Sequence, residues 1–446
     1  MTVNFVITVD NRSDLFAAGP FMDPDFDALA FQTGTVFSPG APISEKELFA
    51  GRKEQVLKII DAVSQRGCHA ILYGERGTGK TSLSNMISAF LARRQAFVVS
   101  RTNCDISDSY SSLWAKAFKD IEAAKRQPAI GFGGLRNPLT APPTPLDFAL
   151  NSETPDGVRR SLQEMSTTAS LIVIFDEFDR IRRPEAITAM ADTIKTLSDH
   201  AVNATVLLIG VADSVDELIR EHQSIERALI QVHLPAMSDN EIRSIVIAGF
   251  ERLGLEIDFE ACEDLVHFSH GVPYITHLLC IYSARAALGA RSLAVNPQHV
   301  EQGRDRALDQ WQQSIKALYN EAVRSEQHSD FYREVLLACA LADVDEQRYF
   351  TASAVQAPLS RVRSRPCEPL IFARALRDLS EHDRGRILHR IGEGYRRRYR
   401  IFNPILRPYI IMRGVREKMI DKSILDRELA PAAEPRGEFW DQATLA

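Results

Sequence analysis

The chain has 446 residues, 45% of them hydrophobic and 25% charged, with a formal net charge of −6, the balance of a soluble globular protein. At about 100–200 residues per domain, this length calls for several domains rather than one core. The start Met1-Thr2-Val3-Asn4-Phe5 lacks the basic and apolar regions of a signal peptide, and no window approaches the roughly eighteen apolar residues of a membrane span. Six cysteines without C-x-x-C spacing read as reduced thiols of a cytoplasmic protein, not as a zinc site or a disulfide frame.

Residues 1–47 are rich in Pro, Gly and Asp with little periodicity and read as an N-terminal arm of limited structure. Leu48-Phe49-Ala50-Gly51-Arg52 then precedes a helical pattern, Val56, Ile59, Ile60 and Val63. The apolar run Ala70-Ile71-Leu72-Tyr73 predicts a buried strand, and Gly74-Glu75-Arg76-Gly77-Thr78-Gly79-Lys80-Thr81 follows it directly. This is the G-x-x-x-x-G-K-T pattern of a phosphate-binding loop, which takes a nucleoside triphosphate. Its glycines let backbone N–H groups close around phosphates, Lys80 faces the β/γ-phosphates, and Thr81 offers a hydroxyl to Mg²⁺; Ser82 opens the next helix. Ala96 to Ser100 predicts a second strand. The segment from Gln127 to Pro155 holds many Gly and Pro and reads as an insertion or loop, a candidate partner-binding element or a plain surface loop.

Leu171-Ile172-Val173-Ile174-Phe175 is apolar without alternation, as in a central parallel strand, and ends in Asp176-Glu177 at the edge where open α/β sheets bind ligands. Asp176 is placed to hold Mg²⁺ and Glu177 to polarise the attacking water. A helix opening at Pro184 and strands at Ala204 to Gly210 and Ala228 to Leu234 complete a parallel sheet covered by helices over 48–235. Residues 236–325 turn helical, and the polar stretch Gln298 to Val323 predicts one long exposed connecting helix. In 326–420, three helices precede two strands, Arg386 to Ile391 and Tyr399 to Phe402, in the layout of a winged helix-turn-helix. Residues 421–446 read as a tail. From Arg384 to Lys418 eleven basic residues face two acids, which suggests an anionic partner or packing of the acidic arm. Arg396, Arg397, Arg398 and Arg400, interleaved with Tyr395 and Tyr399, are the candidate contacts to double-stranded DNA.

Together these motifs resemble the AAA+ ATPases of the origin-recognition and replication-initiator group and the neighbouring STAND ATPases, over about residues 48–420. The implied fold is α/β: a P-loop AAA+ domain with a parallel sheet, an α-helical lid and a C-terminal winged helix. The resemblance implies ATP and Mg²⁺ as cofactors, with ATP hydrolysed to ADP. Gly51 and Arg52 match the box that lies near the nucleotide base. Asp213 falls where these ATPases place a polar γ-phosphate sensor, usually asparagine, and is a departure from that pattern. Arg227 matches the arginine finger that reaches a neighbouring subunit in a homo-oligomer; an intramolecular salt bridge with Glu226 or Glu221 is the alternative. Gly271-Val272-Pro273 has the spelling of the STAND side, where Pro273 packs on the nucleotide. The implied function is a switch whose nucleotide state governs oligomerisation and engagement of DNA or a partner protein. The alternative is a STAND-like ATPase acting through a separate effector.

Overall fold

A computed structural model describes residues 25–39, 51–94, 96–126, 153–212, 215–219, 225–324, 330–345 and 347–425. The centre is a parallel sheet of five strands, β1 (His69–Gly74), β2 (Phe97–Asn103), β3 (Ser170–Asp176), β4 (Ala204–Val211) and β5 (Leu229–His233), in the order β2-β3-β4-β1-β5. The apolar runs are continuous because both faces are covered. On β3, Ile172 and Ile174 face one layer, where α2 (Lys53–Ser64) and α3 (Lys80–Ala92) bury Val56, Ile59, Leu83 and Ile87. Leu171, Val173 and Phe175 alternate onto the other layer, built from α4 (Tyr110–Arg126), α5 (Pro155–Met165) and α6 (Pro184–Asp199). The expected parallel α/β fold is therefore present. Pro155, expected in a loop, is instead the first residue of α5, where a missing N–H costs nothing, and Thr154 caps that helix through Gly157 N–H at 3.1 Å. The rest of the expected insertion up to residue 152 lies outside the described residues.

The helical remainder departs from the expectation in two places. The arm is not wholly irregular: α1 (Phe26–Val36) starts at Asp25, whose side chain accepts from Ala28 N–H. It lies on a lid built from α7 (Asp239–Arg252), α8 (Phe259–Ser269) and α9 (Pro273–Gly289). There Phe37 meets Phe250 edge-on at 5.2 Å, and Arg285 Nε donates to Thr33 Oγ1 at 3.0 Å. The polar stretch after the lid forms two helices, α10 (Pro297–Gln310) and α11 (Gln313–Val323), interrupted at Trp311. They are not exposed connectors, since Val300, Ala307, Leu308, Trp311, Ile315 and Tyr319 are buried. Polar residues occupy the outer faces, which lowers mean hydropathy without removing the buried stripe.

Three helices follow, α12 (Phe331–Leu341), α13 (Ala352–Val362) and α14 (Pro369–Asp378), and then an antiparallel hairpin of β6 (Leu388–Ile391) and β7 (Arg398–Ile401). A further helix, α15 (Leu406–Arg416), was not legible in the sequence and returns against α12. One apolar core runs from Val36 and Phe37 through the lid to Ile420, so these C-terminal helices and the lid share packing.

His69 and His277 are buried as neutral rings. His69 Nδ1 accepts from Val206 N–H at 3.0 Å, and burial pushes both imidazoles down to about 4. The unfolded chain takes up these protons near the ordinary value of about 6.5, so it binds more protons than the fold between those values. Stability should be complete above about pH 6.5 and fall toward pH 4, by up to about 1.4 kcal/mol per pH unit for each ring. Urea midpoints at several pH values should show this loss, with a shallower slope in His69→Gln; equal slopes would place the proton uptake elsewhere.

Candidate nucleotide site

Gly74 ends β1, and Gly79, in the left-handed region at φ 92°, caps α3, so residues 74–81 form a loop between a strand end and a helix N-terminus. Its N–H groups and the helix dipole suit phosphate. Lys80 is buried, and its Nζ donates to the carbonyls of Gly74 at 2.9 Å and Glu75 at 2.7 Å. Burial lowers its pKa to about 8, against the opposing pull of Asp179, then Asp176 and Glu75. Lys80 is therefore mainly charged at neutral pH, but marginally so. Thr78 Oγ1 donates to Glu75 O at 2.9 Å and closes the loop further.

Asp176 ends β3, opposite Asn103 of β2, and is 2% exposed. One of its oxygens accepts from Glu177 N–H at 2.9 Å and the other from Arg101 Nη2 at 2.7 Å. Glu177 sits in the left-handed region at φ 58°, with its carboxylate on Arg180 at 2.8 Å at the surface. Asp179, which sequence reasoning passed over, accepts from Val211 N–H at 2.8 Å and thus ties the turn after β3 to the end of β4. Asp213 lies outside the described residues.

The box before α2 closes on the loop from the side. Arg52 is buried and donates through Nη2 to Thr78 O at 3.3 Å and Pro235 O at 2.8 Å. Its backbone N–H donates to Glu241 Oε1 at 3.0 Å. A Cβ at Gly51 would collide with that carboxylate, so the close approach requires glycine. Glu241 belongs to the capping box of α7 with Ser238, a Ser-x-x-Glu signal legible in the sequence but not used there. From the lid, Pro273 opens α9, and Val272 Cγ1 lies 3.4 Å from where a Gly77 Cβ would stand. The structure thus brings together Arg52, the 74–81 loop, Asp176 and the residues around Pro273. Arg76 is exposed, and Thr81 and Ser82 are half-buried on the first turn of α3.

Arg227 is not part of this cluster. It is exposed, and among the described residues no carboxylate pairs with it.

The C-terminal segment also reaches the loop, through a turn residue and a strand residue. Arg348 contacts Glu75 at 3.0 Å and donates to His270 O of the lid at 2.9 Å, and Arg400 Nη1 lies 3.8 Å from the same Glu75 carboxylate. Between them is a cleft of about 440 Å³, lined by Glu75, His233, Met237, His270, Arg348 and Arg400 among others. Of the hairpin arginines expected to contact DNA, Arg400 is 9% exposed, while Arg398 is partly exposed and pairs with Asp345 at 2.6 Å. Strand alternation sends both to one side, where they lie over the Tyr349 ring at 5.5 and 4.8 Å.

The residues fit the cofactors implied by their pattern. The loop presents backbone N–H groups, a buried lysine and a threonine on the first helical turn, and a buried aspartate ends the β3 strand edge, a set that suits a nucleotide with Mg²⁺. Among the described residues no helix is long and apolar enough to cross a membrane.

No curated protein matches the chain. Among solved structures it is similar to Cdc6p from Pyrobaculum aerophilum, at 14% identity and TM-score 0.44, over 87% of this chain and 99% of that one. It is similar to the Walker-type ATPase of Pyrococcus abyssi at 17% identity and TM-score 0.47, over 84% and 99%. The ORC1 protein of Aeropyrum pernix, in complex with DNA, is similar at 15% identity and TM-score 0.43, over 86% and 96%. Residues 48–209, the span that carries the loop, the strand edge and most of the parallel sheet, match the family model of the AAA ATPase domain.

Proposed function

We propose that this chain is an ATP-binding and ATP-hydrolysing switch whose nucleotide state sets the position of its C-terminal winged helix. One observation carries the reading: Glu75, inside the phosphate loop, is held by Arg348 and Arg400 of the C-terminal segment, and Arg348 also holds the lid through His270 O. A polyphosphate in the loop adds negative charge beside Glu75 and competes for the same two arginines. Lys80 and the loop N–H groups would bind the phosphates, Thr81 and Asp176 would hold Mg²⁺, and Arg52 and Pro273 would bound the nucleotide. The metal would supply charge neutralisation for the phosphates. Glu177 accepts the proton of the attacking water once its carboxylate leaves Arg180. ATP turnover to ADP in this scheme is slow or stimulus-dependent, because Glu177 starts in an ion pair.

Oligomerisation is a part of the reading that rests on Arg227, whose exposure suits contact with a neighbouring subunit's nucleotide. The output is engagement of double-stranded DNA through Arg396 and Arg397, joined by Arg398 and Arg400 on release, or of a separate effector protein. The effector reading has its own observation. Leu370 and Ile371, at the start of α14, are 86% and 52% exposed, an apolar pair where a DNA-reading helix places polar side chains.

Lys80→Ala should weaken ATP about 10- to 100-fold, the loss of a charge-assisted contact worth about 1.5–3 kcal/mol. In the unaltered protein, affinity should decline as pH rises through about 8, because deprotonation of Lys80 removes the charge that phosphate favours. Calorimetry reads both effects; unchanged affinity in the variant would remove the loop from the binding site.

Arg348→Gln should free the C-terminal segment, the state that nucleotide favours, and slow nucleotide release several-fold, measured with a fluorescent ATP analogue. Duplex DNA binding that appears or strengthens in this variant, and falls steeply with salt, supports the DNA output. Slower release without DNA binding supports the effector output, and an unchanged release rate rejects the switch.

Glu177→Gln and Arg227→Ala should each lose turnover, the latter by about 10³-fold if it acts across subunits. Mixing the two variants should restore part of the phosphate release, since a mixed interface has one intact copy of each residue. No recovery, with Arg227→Ala fully active alone, would exclude the finger.

A further inference from the structure

Arg101 stands on β2 with its side chain between two elements of the nucleotide site. Its Nη2 lies 2.7 Å from Asp176 Oδ2, and its Nη1 donates to Asn85 Oδ1 on α3. Asn85 is four residues beyond Thr81, one turn further along the same face of that helix. The guanidinium therefore joins the helix face that carries Thr81 to the strand edge that carries Asp176, the two side chains that would hold Mg²⁺. The Asp176 side chain is 3% exposed and the Arg101 side chain 27%, so the aspartate is the buried member and depends on this counter-charge. Arg101 Nε is buried without a hydrogen-bond partner, so the guanidinium is anchored only at its outer nitrogens. Glu177 N–H satisfies the remaining Asp176 oxygen, which leaves both oxygens engaged.

We propose that Arg101 is a positioning residue that serves as the resident counter-ion of Asp176 and sets the Mg²⁺ requirement of the site. In the metal-free protein it neutralises the buried carboxylate and keeps it aimed at the loop. Mg²⁺ must displace it, and the 27% exposed side chain has solvent on one flank into which it can withdraw. A buried carboxylate and a single positive partner make an exchange of one cation for another, so the pair holds the site in a nucleotide-ready but metal-poor state. This inference rests on the nucleotide-site reading above and concerns the metal step alone.

The test is a Mg²⁺ titration of nucleotide binding, read by a fluorescent ATP analogue with no turnover required. Binding of the analogue without metal is measured first, and its absence in the unaltered protein would count against the nucleotide site itself. Given that binding, Arg101→Gln should lower the Mg²⁺ concentration for half-maximal effect about tenfold or more, the worth of a hydrogen bond to a charged group. Arg101→Lys, which keeps a cation, should return the midpoint toward the unaltered value. Asn85→Ala leaves net charge unchanged and loosens only the far anchor, so it should shift the midpoint in the same direction by less. Metal-free affinity should stay within about twofold in Asn85→Ala, which keeps both site cations. If both Arg101→Gln and Asn85→Ala fold with unaltered thermal midpoints and keep the original Mg²⁺ midpoint, the proposal fails. It fails equally if Arg101→Gln raises the Mg²⁺ requirement, which would assign Arg101 to the phosphates.

Discussion

Two opposite charges buried at one edge of a parallel sheet constrain everything around them. Lys80 is 8% exposed and Asp176 2%, and neither can remain in a dry interior without partners. Lys80 is satisfied by two carbonyls of its own loop, and Asp176 by Arg101 and the next backbone N–H. Both arrangements are local and can be exchanged for a ligand of the right charge: phosphate for the carbonyls, a divalent cation for the guanidinium. A site built in this way is held together by contacts that binding replaces. Its energetic cost is kept low in each state, and the difference between states is available to move other parts of the chain.

The parts arranged to respond converge on the loop through single side chains. Glu241 of the lid meets Gly51 and Arg52, while Arg348 meets Glu75 and the lid carbonyl at His270. Arg348 itself occupies the left-handed region at φ 62°, uncommon for a residue with a side chain. Such a conformation persists where surrounding contacts over-determine it, and here those contacts come from two other segments of the chain. The lid and C-terminal helices also share one apolar core. In the proposed switch, motion of one against the loop would carry the other, which makes the Glu75 contact its point of control.

Much of the α/β domain was legible because its signals are local. The strand runs, the glycine loop and the acids after β3 each declare themselves within about eight residues. What escaped had long sequence separation or hidden amphipathicity. Arg101 and Asp176 are neighbours only because β2 lies beside β3, and a lone arginine on a half-buried strand carries no motif. Trp311 and Tyr319 mark a buried stripe in a polar stretch, visible only once their packing against Tyr409 at 5.3 and 5.5 Å is known. α1 was missed because its one cap, Asp25, lies among many aspartates, and its stability comes from the lid it covers.

The hairpin shows most directly why charge density along a chain does not give the direction of a charged face. Arg398 and Arg400 are two apart on β7, so they share a side, and Tyr399 between them turns into the core at 3% exposure. That side meets Tyr349, Asp345 and the phosphate-loop glutamate, giving aromatic and acidic partners that a DNA phosphate would otherwise have to replace. Arg400 lies 3.8 Å from the Glu75 carboxylate, so an anion outside the molecule that drew this arginine outward would compete with that attraction. In the proposed switch, whatever captures Arg400 would favour the loop without its C-terminal partner, the state that nucleotide is proposed to favour, so one shared carboxylate would link the hairpin and the nucleotide site in both directions.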